Sequence, residues 1–262
     1  MKKVIIFLII FLGICSFLTL AGELKKERSL HFIVNYSPEI EREYIRKIIN
    51  EAERFYRIIT REFYFIRETP WLWDKRAKIF VALNRQEYKD KFPCPEWSEA
   101  CVNYPQKVIY TYKNQKEFSS FLAHELAHII FREYVGENLS LPLWIDEGVA
   151  VYVESKYANP SLERLLTRKI RRIIKEKKYM NFDKMNNIFL KKNANREFVN
   201  VFYIQAWSMV NFLRERFGRI KFKEYLDQIS KGKDPQQMIF FTYGLIDNNE
   251  DFERLWREFY LK

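Results

Sequence analysis

Apolar side chains recur at every second residue in a few short stretches of this chain, and at every third or fourth residue through most of the rest. Residues 31–36 (His-Phe-Ile-Val-Asn-Tyr), 77–83 and 107–112 alternate and are rich in β-branched and aromatic residues, which predicts three strands. Between the first two, Ile40, Tyr44, Ile45, Ile48, Ile49, Ala52, Phe55, Tyr56 and Ile59 keep a helical period, so a helix is expected over 38–63. Asn114 and Glu117 have the spacing of a capping box, which predicts the start of a helix running on to Val135. From residue 142 the helical period dominates. Helices are expected over 144–156, 161–178, 200–217, 222–229, 235–242 and 250–260, with Gly218 and Gly244 at helix ends.

This order is that of an α+β protein. A small mixed α/β N-terminal region, 22–113, precedes a mainly helical region, 114–262. Residues 1–21 read differently: Lys2 and Lys3, an apolar run over 4–20, then Thr19-Leu20-Ala21 before Gly22 make the pattern of a signal peptide. The expectation is export to a periplasmic or extracellular space, with membrane anchoring if the leader is retained, since the run approaches the length of a membrane span. Cys15 follows Ile14, where lipid attachment would need a small residue, so a lipoprotein is not expected.

Composition supports a globular chain. With 262 residues, 48% of them hydrophobic and 17% aromatic, a substantial core can be buried, and only seven glycines leave little for linkers. Net charge is +11, about +9 without the leader lysines, and much of the excess lies in 163–178. There Leu165, Leu166, Ile170, Ile173 and Ile174 form one face and Arg164, Arg168, Arg171, Arg172 and Lys175 the other. A solvated helix face is the favoured reading, and peripheral contact with an anionic membrane or cell envelope is the functional one. No nucleic-acid-binding motif accompanies the charge. Cys94 and Cys101 form an even pair on a Pro-containing stretch and are expected to form a disulfide in an oxidising compartment, worth roughly 2 to 3 kcal/mol.

The chemistry is concentrated in His124-Glu125-Leu126-Ala127-His128. On a helix, side chains at i and i+4 share a face, so both imidazoles can reach one zinc ion at about 2.0 to 2.1 Å. Glu125 flanks that ion without having to bind it, as a general base must. A catalytic zinc needs a third protein ligand and an open position. Only one other histidine exists, His31, far upstream in a strand-like segment, and Phe131 and Tyr134 stand where the metzincin motif needs glycine and histidine. That leaves the carboxylates of Glu137, Asp146 and Glu147. Glu137 follows a helix stop at Gly136, whereas Glu147 sits beside Gly148 and Ala150, whose small side chains would let its helix approach the first closely, so Glu147 is the better candidate. Asp146 could instead accept the free N–H of a ligand histidine from the second layer of the site.

His124-Glu125-x-x-His128, an 18-residue gap, and then Glu147 within Trp144-x-x-Glu147-Gly148-x-Ala150-x-Tyr152 resemble the gluzincin metallopeptidases, the group that includes thermolysin and the zinc aminopeptidases. The chain is most similar to their peptidase MA-like branch, firmly over 118–152 and more loosely elsewhere. The resemblance implies one catalytic domain over 22–262 with a thermolysin-like cleft between its two regions. It implies one Zn2+ ion held by His124, His128 and Glu147, a polypeptide substrate, and Glu125 as general base. It also places the oxyanion donor, for which no histidine is left, at Tyr203, with Tyr152 as a weaker rival. The amine-capturing Gly-x-Met-Glu-Asn segment of aminopeptidases is missing, which favours endopeptidase action. The strand at 107–112 could pair an extended peptide if it lies at a sheet edge. The alternative is a catalytically silent scaffold of the same fold that binds an envelope component.

Overall fold

A computed structural model describes residues 24–65, 70–95, 98–136, 141–188 and 195–262. The leader and Glu137 lie outside the described residues. The chain divides into two compact units, Met1–Ile49 with Trp71–Gln115, and Asn50–Pro70 with Lys116–Lys262. The units divide the long helix Arg42–Glu62 (α1), so that its second half groups with the helical unit, whereas a cut at 113/114 keeps the whole helix in the N-terminal region.

The first unit is built on a five-stranded mixed sheet in the order β1-β2-β3-β5-β4, made by β1 (Lys25–Arg28), β2 (Phe32–Tyr36), β3 (Ala77–Ala82), β4 (Cys101–Asn103) and β5 (Val108–Tyr112). β2, β3 and β5 run parallel, and β1 and β4 pair antiparallel at the two edges. The three central strands are those whose alternation is visible in the sequence. The edge strands are a charged Lys-Lys-Glu-Arg run and a three-residue segment, neither of which carries an apolar period. β5 is therefore an interior strand, covered by β4 along Val108–Tyr110, and not the edge strand that peptide pairing would need. In β3, Ile79 and Val81 face one way. Phe80 and Ala82 face the other, toward Tyr88 and Phe92 at the helix α2 (Arg85–Lys91), a cluster that also takes in Cys94. Cys94 is disulfide-bonded to Cys101 across a Cα separation of 5.9 Å.

The second unit is helical: α3 (Phe118–Val135), α4 (Leu143–Val153), α5 (Pro160–Lys175), α6 (Phe182–Asn186), α7 (Arg196–Phe217), α8 (Arg219–Ser230), α9 (Pro235–Thr242) and α10 (Asn249–Leu261). α4 is its axis. Nine of its residues, from Trp144 to Val153, are buried, which is the condition of a helix apolar on all sides, and it packs most extensively on α7 and α3. Gly148 explains one of these contacts. A Cβ there would stand 2.5 Å from the Ala206 carbonyl oxygen and 2.6 Å from Val210 Cγ2, so the glycine lets α4 lie close against α7. The sequence expectation had this small residue serving the approach to the histidine helix; the structure assigns it to α7.

The start of α3 also differs from expectation. Asn114 and Glu117 both adopt left-handed backbone, with φ of 61° and 59°, and neither side chain caps the helix, which begins at Phe118. The Asn114 N–H is instead taken by the Tyr44 hydroxyl at 2.8 Å, so a tertiary contact displaces the local capping box. At the other end of α4 the chain widens into a single π turn over Glu154–Ala158, closed by Asn159 N–H to the Glu154 carbonyl at 2.8 Å, before Asn159 caps α5.

Candidate active site

The ligand candidates come from two packed helices of the helical unit. His124 and His128 lie one turn apart on α3, and Glu147 lies in the first half of α4. Their donor atoms converge: His124 Nε2 to His128 Nε2 is 3.2 Å, His128 Nε2 to Glu147 Oε2 is 3.4 Å, and His124 Nε2 to Glu147 Oε2 is 3.7 Å. Three ligands placed tetrahedrally at zinc bond lengths stand about 3.3 to 3.4 Å from one another, so the donor set fits that ion. Among the described residues this is the one group of three or more His, Cys, Asp or Glu side chains able to hold a metal. His31 stands just ahead of β2 in the other unit and is not part of this group.

Orientation of the rings comes from behind. His128 Nδ1 donates to Asp146 Oδ1 at 2.6 Å, and Arg132 grips the other oxygen of that carboxylate through Nε at 2.8 Å and Nη2 at 2.6 Å. His124 Nδ1 donates to Glu154 Oε2 at 3.1 Å. With each Nδ1–H committed to a carboxylate, each Nε2 is the nitrogen that faces the partner ligands and would carry the lone pair offered to a metal.

Burial opposes charge on His128, but the Asp146 and Glu147 carboxylates outweigh it and push its pKa up to about 10. Burial likewise works against the Asp146 carboxylate, yet His128 and Arg132 hold it below its ordinary range. A cation is thus strongly favoured between these carboxylates, whether a proton or a metal supplies it.

Glu154 and Arg132 carry no motif and were not singled out in the sequence. Both have a positional signal in retrospect: Arg132 follows His128 by four residues, and Glu154 follows Glu147 by seven, two helical turns. The π turn makes the second relation less regular than α-helical counting suggests.

Tyr203, on α7, is brought to the same place. Burial first, then the nearby Glu147 and Glu125 carboxylates and a hydrogen bond to Glu147, raise its phenol above the ordinary range. It lines a pocket of about 640 Å³ together with Glu147, Pro142, Asn186, Ile188, Asp234 and others. The close α4–α7 contact at Gly148 and Ala206 is what sets Tyr203 beside Glu147. Tyr152 is not in the site. It is buried, donates to Glu215 at 3.1 Å, and lies under the Arg214 guanidinium at 4.7 Å.

Comparison with known proteins follows the same lines. A family model described as "Peptidase MA superfamily" matches residues 77–262. No curated protein matches the chain by sequence. Among solved structures, the native LTA4 hydrolase of yeast superposes with a TM-score of 0.51 at 16% identity, over 90% of this chain and 38% of that one. A second structure of the native leukotriene A4 hydrolase from Saccharomyces cerevisiae gives 0.49 at 16% identity, over 92% and 39%. The chain therefore spans well under half the length of these enzymes, and at this identity the likeness concerns the fold.

Proposed function

Because the chain belongs to the Peptidase MA superfamily, we propose that it is an exported zinc-dependent metallopeptidase that cleaves internal peptide bonds, with Glu125 as general base. The observation that carries the proposal is the convergence of His124, His128 and Glu147 at spacings of 3.2 to 3.7 Å, with both remaining imidazole nitrogens committed to carboxylates.

When bound there, zinc supplies a Lewis acid that polarises a carbonyl and acidifies water. The other roles belong to the chain. Glu125, beside the ligands on α3, takes the proton of the attacking water and returns it to the leaving amine. Tyr203 keeps its proton at neutral pH, since burial and two carboxylates disfavour the phenolate, and so can donate to the oxygen that becomes negative as the carbonyl is attacked. The pocket shared by Glu147 and Tyr203 receives a substrate side chain.

Internal cleavage is supported by the missing amine-capturing segment. Export is supported by the pattern of residues 1–21 and by the Cys94–Cys101 pairing, which suits an oxidising compartment. Attraction of the basic face of α5 to an anionic envelope surface is kept as an effect of charge, because Leu166, Ile170, Ile173 and Ile174 are buried and Leu165 alone of that face is exposed.

The test is metal analysis of wild type and Glu125→Gln, paired with digestion of a peptide library and mass spectrometry. Zinc in both proteins, with cleavage of internal bonds by wild type alone, is expected. Zinc in both with cleavage by neither assigns the chain to the silent scaffold. Tyr203→Phe is expected to keep its zinc and lose about 10² to 10³-fold in kcat.

A further inference from the structure

Among the described residues of the sheet unit, two large apolar side chains stand in solvent, Leu30 at 60% exposure and Trp73 at 75%. Their backbones are tied together. The Arg76 guanidinium donates to the Leu30 carbonyl at 3.0 Å and to the Trp73 carbonyl at 3.1 Å, so a single side chain ties both loops. Beneath them Trp71 is fully buried, its ring edge-on to Phe32 at 5.8 Å, with Lys107 Nζ 5.4 Å above it.

Trp73 has φ of 51°, a left-handed conformation that bulky side chains rarely adopt. The turn thus holds one tryptophan inside and sets the next but one outside, against the local preference of its backbone. Strain of this kind persists only where the surroundings impose it, and here the Arg76 clamp and the buried Trp71 do so. Arg28, Lys75 and Arg76 lie within three residues of the pair in the chain and Lys107 reaches over Trp71, with Asp74 as the nearby carboxylate, 3.9 Å from Lys75.

We propose that Leu30 and Trp73 form a membrane-contact surface, inserting at the boundary between headgroups and acyl chains of an anionic bilayer. An indole prefers that depth because its ring is apolar and its N–H needs a polar partner. The surrounding cations favour anionic headgroups. Two side chains are too few for a stable protein interface, which buries about 800 Å² on each partner, but they are enough to anchor a surface already attracted by charge. The surface is distinct from the basic face of α5 and stands whether or not the chain is a peptidase.

The test reads Trp73 itself. The leader contains no tryptophan, Trp71, Trp144, Trp207 and Trp256 are buried, and Trp97, which lies outside the described residues, is common to both proteins, so the difference between the full chain and its Trp73→Phe variant isolates this ring. Both are mixed with vesicles of brominated phosphatidylglycerol or brominated phosphatidylcholine, and tryptophan emission is followed. Strong quenching of wild type by the anionic vesicles is expected, lost in Trp73→Phe and reduced in Leu30→Ser. Raising the salt concentration is expected to weaken it. Equal quenching of wild type and Trp73→Phe would overturn the proposal, and equal quenching by the two lipids would overturn the anionic assignment. Protection of Trp73 from acrylamide that grows with protein concentration in the absence of lipid would give the patch to a second copy of the chain instead.

Discussion

The two histidines of one helical turn are held by unlike surroundings. His128 is almost wholly buried, and its carboxylate partner Asp146 is buried too and clamped by Arg132. His124 is about one-fifth exposed and leans on Glu154, itself about one-fifth exposed and carried by the π turn. The difference shows how a site can combine rigidity with access. The His128 wall is a buried three-member network that fixes the ring, while the His124 wall is looser and more open to solvent.

Removing the buried support should cost most. Asp146→Asn is expected to weaken zinc affinity by about 100-fold and, by taking the charge-assisted bonds from His128 and Arg132, to lower folding stability by roughly 1.5 to 3 kcal/mol. Chelator competition and denaturant melts measure the two. A third wall, α7, enters the comparison through Gly148→Ala. The added methyl must displace the Ala206 carbonyl 2.5 Å away, costing roughly 1 to 3 kcal/mol. Tyr203 should shift with α7, and on the order of 10²-fold in kcat is lost for an ångström of misplacement, with zinc affinity retained. Loss of zinc in this variant would show that α7 supports the ligands as well as the substrate.

Glu154→Gln should be milder, with about tenfold weaker zinc binding and stability within about 0.5 kcal/mol of wild type. An effect on zinc as large as that of Asp146→Asn would erase the distinction between the two walls.

The last expected effect is a slope with pH, read only in zinc-free protein. In zinc-free protein the folded pKa of His128 is raised to about 10 from an ordinary value of 6.5. The stability this supplies is complete below the unfolded value and is lost as pH rises through the folded one. Thermal melts of chelated protein should therefore decline from neutral pH toward 10, and the decline should flatten in Asp146→Asn.

Much of this was legible in the sequence because it rests on local periodicity. The central strands and most helices follow from the period of apolar residues, and the spacing of His124 and His128 already implies two nitrogens on one face. Other parts were not legible. The edge strands have too few residues to show a period, and Asn114, read as a helix cap, is left-handed with its N–H on Tyr44, seventy residues away in the chain. The partner of Gly148 was misassigned to α3 for a related reason: a glycine signals a close approach without saying what approaches.

Residue order alone thus carried three strands followed by helices, the histidine pair, and a short roster of carboxylates for the third ligand. Only the tertiary structure decided which of them meet. It set Glu147 within 3.7 Å of both ligand nitrogens, gave His128 to Asp146 and His124 to Glu154, moved Tyr203 to the site and left Tyr152 with Arg214. The physical reason is range. Side chains within a helical turn are positioned by backbone geometry, whereas side chains on different helices are positioned by packing, which depends on every residue along the seam.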